Sequence, residues 1–197
     1  VRSILLARLL PVETFGVYAL ATAIVTFSGI VQQWGMAGAF LHRSPETADE
    51  ERAAAVHFTL RLVTTSLWAA ALILGALALA GDPLRTALVV LTLAYAGIYL
   101  TDTPRTLLGR RVQHRRLALL DLAAAAATTV VAVALAEAGY GLTSLLATDL
   151  VTGLVLAVGL YVWRPVWRPR LLLARDAIRY YLHFGSRTMT EAALTEA

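Results

Sequence analysis

Long stretches without charge constrain the fold of this 197-residue chain more than any other feature of its sequence. An α-helix needs about 20 apolar residues to cross the hydrocarbon core of a bilayer. Three uncharged runs, and two runs with one acid each (Asp121 or Asp149), have about this length or more: 14–41, 62–81, 86–101, 117–136 and 140–163. Because a spanning segment must satisfy its backbone hydrogen bonds internally, these runs predict an all-α, polytopic transmembrane helical bundle.

The composition favours a membrane protein over a soluble one. Hydrophobic residues make up 58% of the chain and charged residues 15%, whereas soluble domains average about 45–50% apolar and 25% charged residues. The formal net charge is +4, and all 17 basic residues are arginine. These arginines alternate with apolar stretches too long for a compact soluble core, so we expect no nucleic-acid partner.

The arginines are distributed asymmetrically between the predicted spans. Connectors 42–57, 104–116 and 164–179 contain twelve arginines, whereas the alternate connectors contain two, Arg8 and Arg85. This positive-inside pattern predicts that the three arginine-rich connectors are cytoplasmic. We interpret RRVQHRR, residues 110–116, as an anchor among anionic headgroups, which attract each arginine by about 1 kcal/mol. Specific recognition of a lipid headgroup is the alternative.

Motifs of covalent chemistry are absent from the sequence. The chain has no cysteine, which excludes a disulfide framework and a cysteine-based metal site in these residues. We find no metal-ligand spacing, nucleotide-binding loop or nucleophile–base arrangement, so we expect no cofactor, no metal and no enzymatic reaction. The four histidines lie in or near the cytoplasmic connectors, where we expect them at the headgroup interface rather than in a proton relay: His42, His57, His114 and His183.

Several segments, in their order and spacing, resemble a known transporter family. They are LARLLPVETFGVYALATAIVTF (6–27), AFLHR (39–43), LLGRRVQHRRLALLDLAAA (107–125), EAGYGLTSLLATDLVTGLVLAVGLYVWRPVWRPRL (137–171) and AIRYYLHFG (177–185). Together they are similar to the oligosaccharide (O-antigen and exopolysaccharide) flippase family of the multidrug, oligosaccharidyl-lipid and polysaccharide exporter superfamily. The family often has Gly-Pro or Ser-Pro where this chain has Pro11-Val12.

The resemblance implies a two-lobed exporter of 12 to 14 helices in the bacterial inner membrane. Residues 1–163 would form the amino-terminal lobe, from the end of helix 1 through helix 6. Residues 164–179 would be a cytoplasmic linker, and 180–197 would begin the second lobe with a seventh helix. We therefore expect the sequence to be part of a longer chain.

The resemblance also implies a substrate and partners. Members of the family carry undecaprenyl-pyrophosphate-linked oligosaccharides to the outer leaflet for lipopolysaccharide or exopolysaccharide synthesis, by alternating access. The implied partners are the lipid-linked oligosaccharide, membrane lipids and other polysaccharide-assembly proteins, with coupling to protons or sodium.

Ionisable residues within the spans are the candidate substrate-binding residues, because each costs roughly 2.5–3.5 kcal/mol at a helix centre. Arg61 and Arg187 could bind the pyrophosphate, since the guanidinium offers bidentate phosphate geometry. Asp149 and Glu191 could exchange protons or bind a coupling cation.

Each candidate also has a structural alternative. Arg61 could extend to the cytoplasmic headgroups, Asp149 could pair with a neighbouring helix, and Arg187 and Glu191 have the spacing of a local helical pair. We further expect a local pair between Asp102 and Arg105.

Three alternative functions stay open at this point. A multidrug or cation exporter of the same superfamily would favour acidic groups in its cavity. A membrane-embedded polysaccharide polymerase or ligase would need a sizeable outer loop, and every outer connector here is short. A scaffold would bind a cytoplasmic partner through its arginine-rich connectors.

Overall fold

The computed structural model describes residues 10–33, 39–40, 50–175, 178–179, 181 and 183. The described helices are α1 (Val12–Gln33), α2 (Glu50–Leu79), α3 (Leu84–Leu100), α4 (Asp102–Arg110), α5 (His114–Glu137) and α6 (Gly141–Ala157), and α6 continues into a π-helical segment, Val158–Trp163. Five segments of this part of the chain are long and apolar enough to cross a membrane: 12–30, 50–79, 84–110, 114–137 and 141–163. The predicted polytopic helical bundle is confirmed.

Helix α3 lies at the centre of the bundle. It packs against α1, α2 and α6, and α5 packs on the other side of α6. One part of the core, formed by Ala21, Val25, Leu88, Leu91 and Leu146, joins α1, α3 and α6. Apolar side chains on the outward faces are largely exposed, such as Phe27 and Val130, as expected of surfaces that contact lipid rather than water.

Small residues bring α3 and α6 close together. A Cβ atom built on Gly153 of α6 would lie 3.4 Å from the backbone oxygen of Ala94 and 3.5 Å from a side-chain carbon of Ile98, both on α3. Close approach of backbones at small residues is a common packing mode between membrane helices, because lipid supplies no hydrophobic force for their association.

Short turns connect the helices at the arginine-poor end, as predicted. Residues 80–83 join α2 to α3, and residues 138–140 join α5 to α6. Gly139 has a φ of +83°, a left-handed conformation that glycine adopts without steric cost. The consecutive spans are therefore antiparallel neighbours.

Two predicted connectors are shorter than the sequence suggested. Within connector 42–57, α2 has already begun at Glu50, and within connector 104–116, α4 continues to Arg110. Pro104 does not end a helix, because it occupies the first turn of α4, where a backbone amide has no partner within the helix. The break between α3 and α4 lies at Thr101 instead.

We predict that Gly153→Leu destabilises the bundle, whereas Gly97→Leu is tolerated. The leucine at 153 would overpack the α3–α6 contact, at a cost of about 1–3 kcal/mol in the free energy of unfolding. A Cβ atom on Gly97, also within α3, would have no atom of another element within 4 Å. Thermal unfolding of both variants in detergent measures the difference, and equal midpoints would contradict the close α3–α6 contact.

Candidate functional site

A buried guanidinium joins three helices near the arginine-rich end of the bundle. Arg61 of α2 is 1% exposed and forms an ion pair with Asp102, the first residue of α4. Its Nη1 donates a hydrogen bond to Oε1 of Gln32 on α1, at 3.1 Å. The alternative in which Arg61 extends to the headgroups is wrong, because the side chain is enclosed by protein.

Aromatic residues complete the surroundings of the guanidinium. The Cζ atom of Arg61 lies 5.5 Å from the ring centroid of Tyr99 on α3. Trp68 packs edge-on against Tyr99, with ring centroids 5.4 Å apart, and donates through Nε1 to Ser28 Oγ of α1 at 3.1 Å. Trp68 is therefore held in the bundle core, which favours packing over stacking on a sugar ring.

Two buried nitrogen atoms of this cluster have no hydrogen-bond partner among the described residues: Nε of Arg61 and Nε2 of Gln32. An unpaired buried donor is costly, by about 1–3 kcal/mol, and such groups are few in native proteins. Gln32 Oε1 also accepts a hydrogen bond from Thr65 Oγ1, at 3.3 Å. Besides the Arg61–Asp102 ion pair, the cluster therefore holds two buried nitrogen donors that no described residue uses, and such donors suit an anion.

The predicted local pair of Asp102 and Arg105 is wrong. Asp102 binds Arg61 of α2, whereas Nη2 of Arg105 lies 3.0 Å from Oδ1 of Asp121 on α5. The two residues of α4 thus bind different neighbouring helices, because interhelical partners of opposite charge outweigh the weak local pair. Asp121 thus pairs with an arginine of the arginine-rich connector 104–116.

Asp149 lies in a second cluster nearer the arginine-poor end. The hydroxyl of Tyr18 on α1 donates to Asp149 Oδ2 at 2.8 Å. Asp149 is eight residues, about 12 Å along the helix, from the start of α6 at Gly141. This contact is the kind of pairing with a neighbouring helix that we considered for Asp149, and it does not bring Asp149 into the Arg61 cluster. Arg187 and Glu191 lie outside the described residues, so their assignment stays a prediction.

One histidine, His57, occupies an unexpected position. His57 is fully buried rather than at the headgroup interface, and it stacks on Phe40 with ring centroids 4.9 Å apart. Its Nδ1 lies 2.9 Å from Thr103 Oγ1. Trp167, in the segment after α6, is also buried, edge-on against Phe58 of α2, so that contacts within the protein hold both side chains.

Many arginines of RRVQHRR bind other parts of the protein. Arg110 and Arg111 both pair with Glu50 at the start of α2, and the shorter contact, from Arg111 Nη2 to Oε2, is 2.6 Å. Arg116 donates to the backbone carbonyl of Arg164. Besides its interpreted role as a headgroup anchor, the segment therefore links the end of α4 to α2, and α5 to the end of α6.

A groove of about 480 Å³ lies between α3, α4, α5 and α6. The Arg105–Asp121 pair lies in its wall, as do the hydroxyl-bearing Thr128, Thr129 and Thr152. These groups can donate to or accept from a polar ligand. In the described part of the chain, no three side chains of His, Asp or Glu are grouped as a metal site requires.

The family model for polysaccharide biosynthesis proteins matches residues 5–196, almost the whole chain. No curated protein and no solved structure matches the chain.

We predict that Arg61→Met and Asp102→Asn each lower the free energy of unfolding, by about 3 kcal/mol for Arg61→Met, because a charge is left buried without its partner. The double variant Arg61→Met/Asp102→Asn removes both charges and should recover at least half of that loss. Arg105→Gln is the control, since its half-exposed pair is worth about 1 kcal/mol or less. Unfolding in detergent measures the cycle, and strictly additive losses would show that the two side chains are not coupled.

Proposed function

Because the chain belongs to the polysaccharide biosynthesis protein family, we propose that it flips an anionic, lipid-linked oligosaccharide from the cytoplasmic to the outer leaflet of a bacterial inner membrane. The chain is a multi-pass helical membrane protein, and the family gives it a role in polysaccharide biosynthesis. The observation that carries the finer proposal is the Arg61 cluster, a cation enclosed by helices on the arginine-rich side.

The chemistry of the cluster fits a pyrophosphate-linked lipid. A guanidinium forms paired hydrogen bonds with phosphate oxygens as readily as with a carboxylate. Arg61 lies eleven residues from the start of α2, about 16 Å along the helix, and directly before the uncharged run 62–81. A lipid pyrophosphate that enters from the cytoplasmic leaflet would therefore meet Arg61 before it reaches the uncharged part of α2.

In our proposal the pyrophosphate replaces Asp102 as the partner of Arg61. The unused Nε of Arg61 and Nε2 of Gln32 would then donate to the same anion. Gln32, Arg61 and Asp102 lie on three helices. Replacement of Asp102 by the pyrophosphate therefore loosens α4 from α2, and this favours the outward-open state of the transporter. The step makes and breaks only hydrogen bonds and ion pairs, so we propose a transporter and not an enzyme.

Asp149 is the proposed coupling group. Its hydrogen bond from Tyr18 joins α6 to α1, and binding of a proton or a sodium ion to the carboxylate would compete with that bond. Glu191 stays a second candidate for this role, and Arg187 a second phosphate-binding residue. Other polysaccharide-assembly proteins are proposed partners that deliver or take up the lipid-linked sugar.

We predict that Arg61→Gln reduces flipping by more than about 100-fold and Arg61→Lys by about tenfold, since lysine keeps the charge without the bidentate geometry. The measurement is the flipping of a fluorescent polyprenyl-pyrophosphate oligosaccharide by the full-length protein in proteoliposomes. Arg85→Gln, which removes an arginine from the arginine-poor end, is the matched control and should retain activity.

Asp102→Asn separates this role from a purely structural one. Removing the competing carboxylate should tighten binding of the lipid pyrophosphate by about tenfold, a gain of about 1.4 kcal/mol, while flipping slows. The dissociation constant is measured with the same lipid in detergent. Weaker binding by a folded Asp102→Asn variant would contradict the exchange of partners.

A further inference from the structure

A second groove lies between α5 and the end of α6 and differs in character from the Arg61 cluster. Its volume is about 340 Å³. Its lining is apolar, with Leu119, Leu120, Ala123 and the ring of Trp163, except for two arginines, Arg116 and Arg164. Such a surface suits an amphiphile that has one charged end.

The end of α6 places the two arginines together. The helix continues as a π-helical segment to Trp163, and Arg164 then leaves helical geometry, with φ −139° and ψ 81°. Arg116 of α5 donates to the carbonyl of Arg164, whose Cζ lies 5.8 Å from the ring centroid of Trp163. Both guanidinium groups are thus held at the groove.

Arg116 and Arg164 differ from the neighbouring arginines in lacking a carboxylate partner among the described residues. Arg105 pairs with Asp121, and Arg110 and Arg111 pair with Glu50. Within the described part of the chain, neither Arg116 nor Arg164 has a carboxylate at ion-pair distance. Two cations in a mostly apolar groove, with no described acid at ion-pair distance, are complementary to an anion.

The position of the groove identifies the leaflet and the kind of molecule. From Arg116 it extends along α5 to Ala123, about 10 Å towards the outer side. Leu119 is 56% exposed and Trp163 is 75% exposed, so the lining is open to the surroundings of the bundle. An exposed tryptophan at the end of a spanning helix is typical of the membrane interface. The charged end therefore lies at the cytoplasmic headgroups and the apolar part within the hydrocarbon.

We infer that this groove binds an anionic phospholipid of the cytoplasmic leaflet. Its phosphate would lie between Arg116 and Arg164, and one acyl chain would pack along Leu119 and Ala123. Basic pockets between helices on the cytoplasmic side are suited to such headgroups. The transported lipid is a less suitable occupant, because the groove faces outward between α5 and α6, whereas Arg61 is enclosed by α1, α2 and α4. The inference does not rest on the proposed function.

Quenching of Trp163 fluorescence by brominated lipids tests the inference directly. The full-length protein is placed in vesicles with brominated phosphatidylglycerol or brominated phosphatidylcholine at equal mole fraction. The difference between the native protein and Trp163→Phe isolates the contribution of Trp163. Brominated phosphatidylglycerol should quench this contribution at a lower mole fraction than brominated phosphatidylcholine does.

Variants distinguish lipid binding from simple capping of α6 by Arg116. Arg164→Gln leaves the carbonyl of residue 164 available to Arg116, and it should lower the preference for phosphatidylglycerol by roughly fivefold. Arg116→Gln/Arg164→Gln should abolish the preference. The control Arg168→Gln/Arg175→Gln removes the same charge from two exposed positions outside the groove and should retain it.

Two results would overturn the inference. One is an unchanged preference in the folded Arg164→Gln and double variants, which would leave Arg116 only a capping role. The other is displacement of brominated phosphatidylglycerol by a stoichiometric amount of polyprenyl pyrophosphate, which would assign the groove to the transported lipid. Loss of flipping in Arg61 variants does not affect either result, so the two proposals fail independently.

Discussion

The ion pair between Arg61 and Asp102 determines how the arginine-rich half of the bundle is assembled. A guanidinium cannot be enclosed by helices at this depth without partners, and here the partners come from α1 and α4. Asp102 therefore orients the first turn of α4 towards α2, which leaves Arg105 free to reach Asp121 on α5. One buried charge thus relates the positions of four helices.

The spans could be predicted from the sequence because the bilayer limits the possible structures. A run of about 20 uncharged residues has few alternatives in lipid, so runs such as 62–81 and 140–163 marked α2 and α6 without knowledge of any contact. The helix ends were harder to predict. Glu50–His57 and Pro104–Arg110 carry charges, yet they are helical, since charged residues extend a helix beyond the hydrocarbon once other helices pack against it.

The partners in the candidate site could not be predicted in the same way. Arg61 stood out as a charge at the edge of an apolar run, but Asp102 is 41 residues away and Gln32 is an uncharged residue within another span. Local spacing favoured Arg105 as the partner of Asp102, whereas contacts between helices pair Asp102 with Arg61. The burial of His57 could not be predicted either, because its stacking on Phe40 depends on how α2 packs against residues 39–40.

Accessibility of Thr65 tests the central claim, that the Arg61 cluster opens to accept an anionic lipid. Thr65 is buried and bonded to Gln32, and the chain has no cysteine of its own. In the full-length protein, Thr65→Cys should react with a water-soluble maleimide, and lipid-linked pyrophosphate should protect it. Ala87→Cys, equally buried in the core, should stay unlabelled, while Gln113→Cys and Tyr140→Cys should label from opposite sides. An unlabelled Thr65→Cys beside labelled loop controls would contradict the claim and leave Arg61 a structural residue.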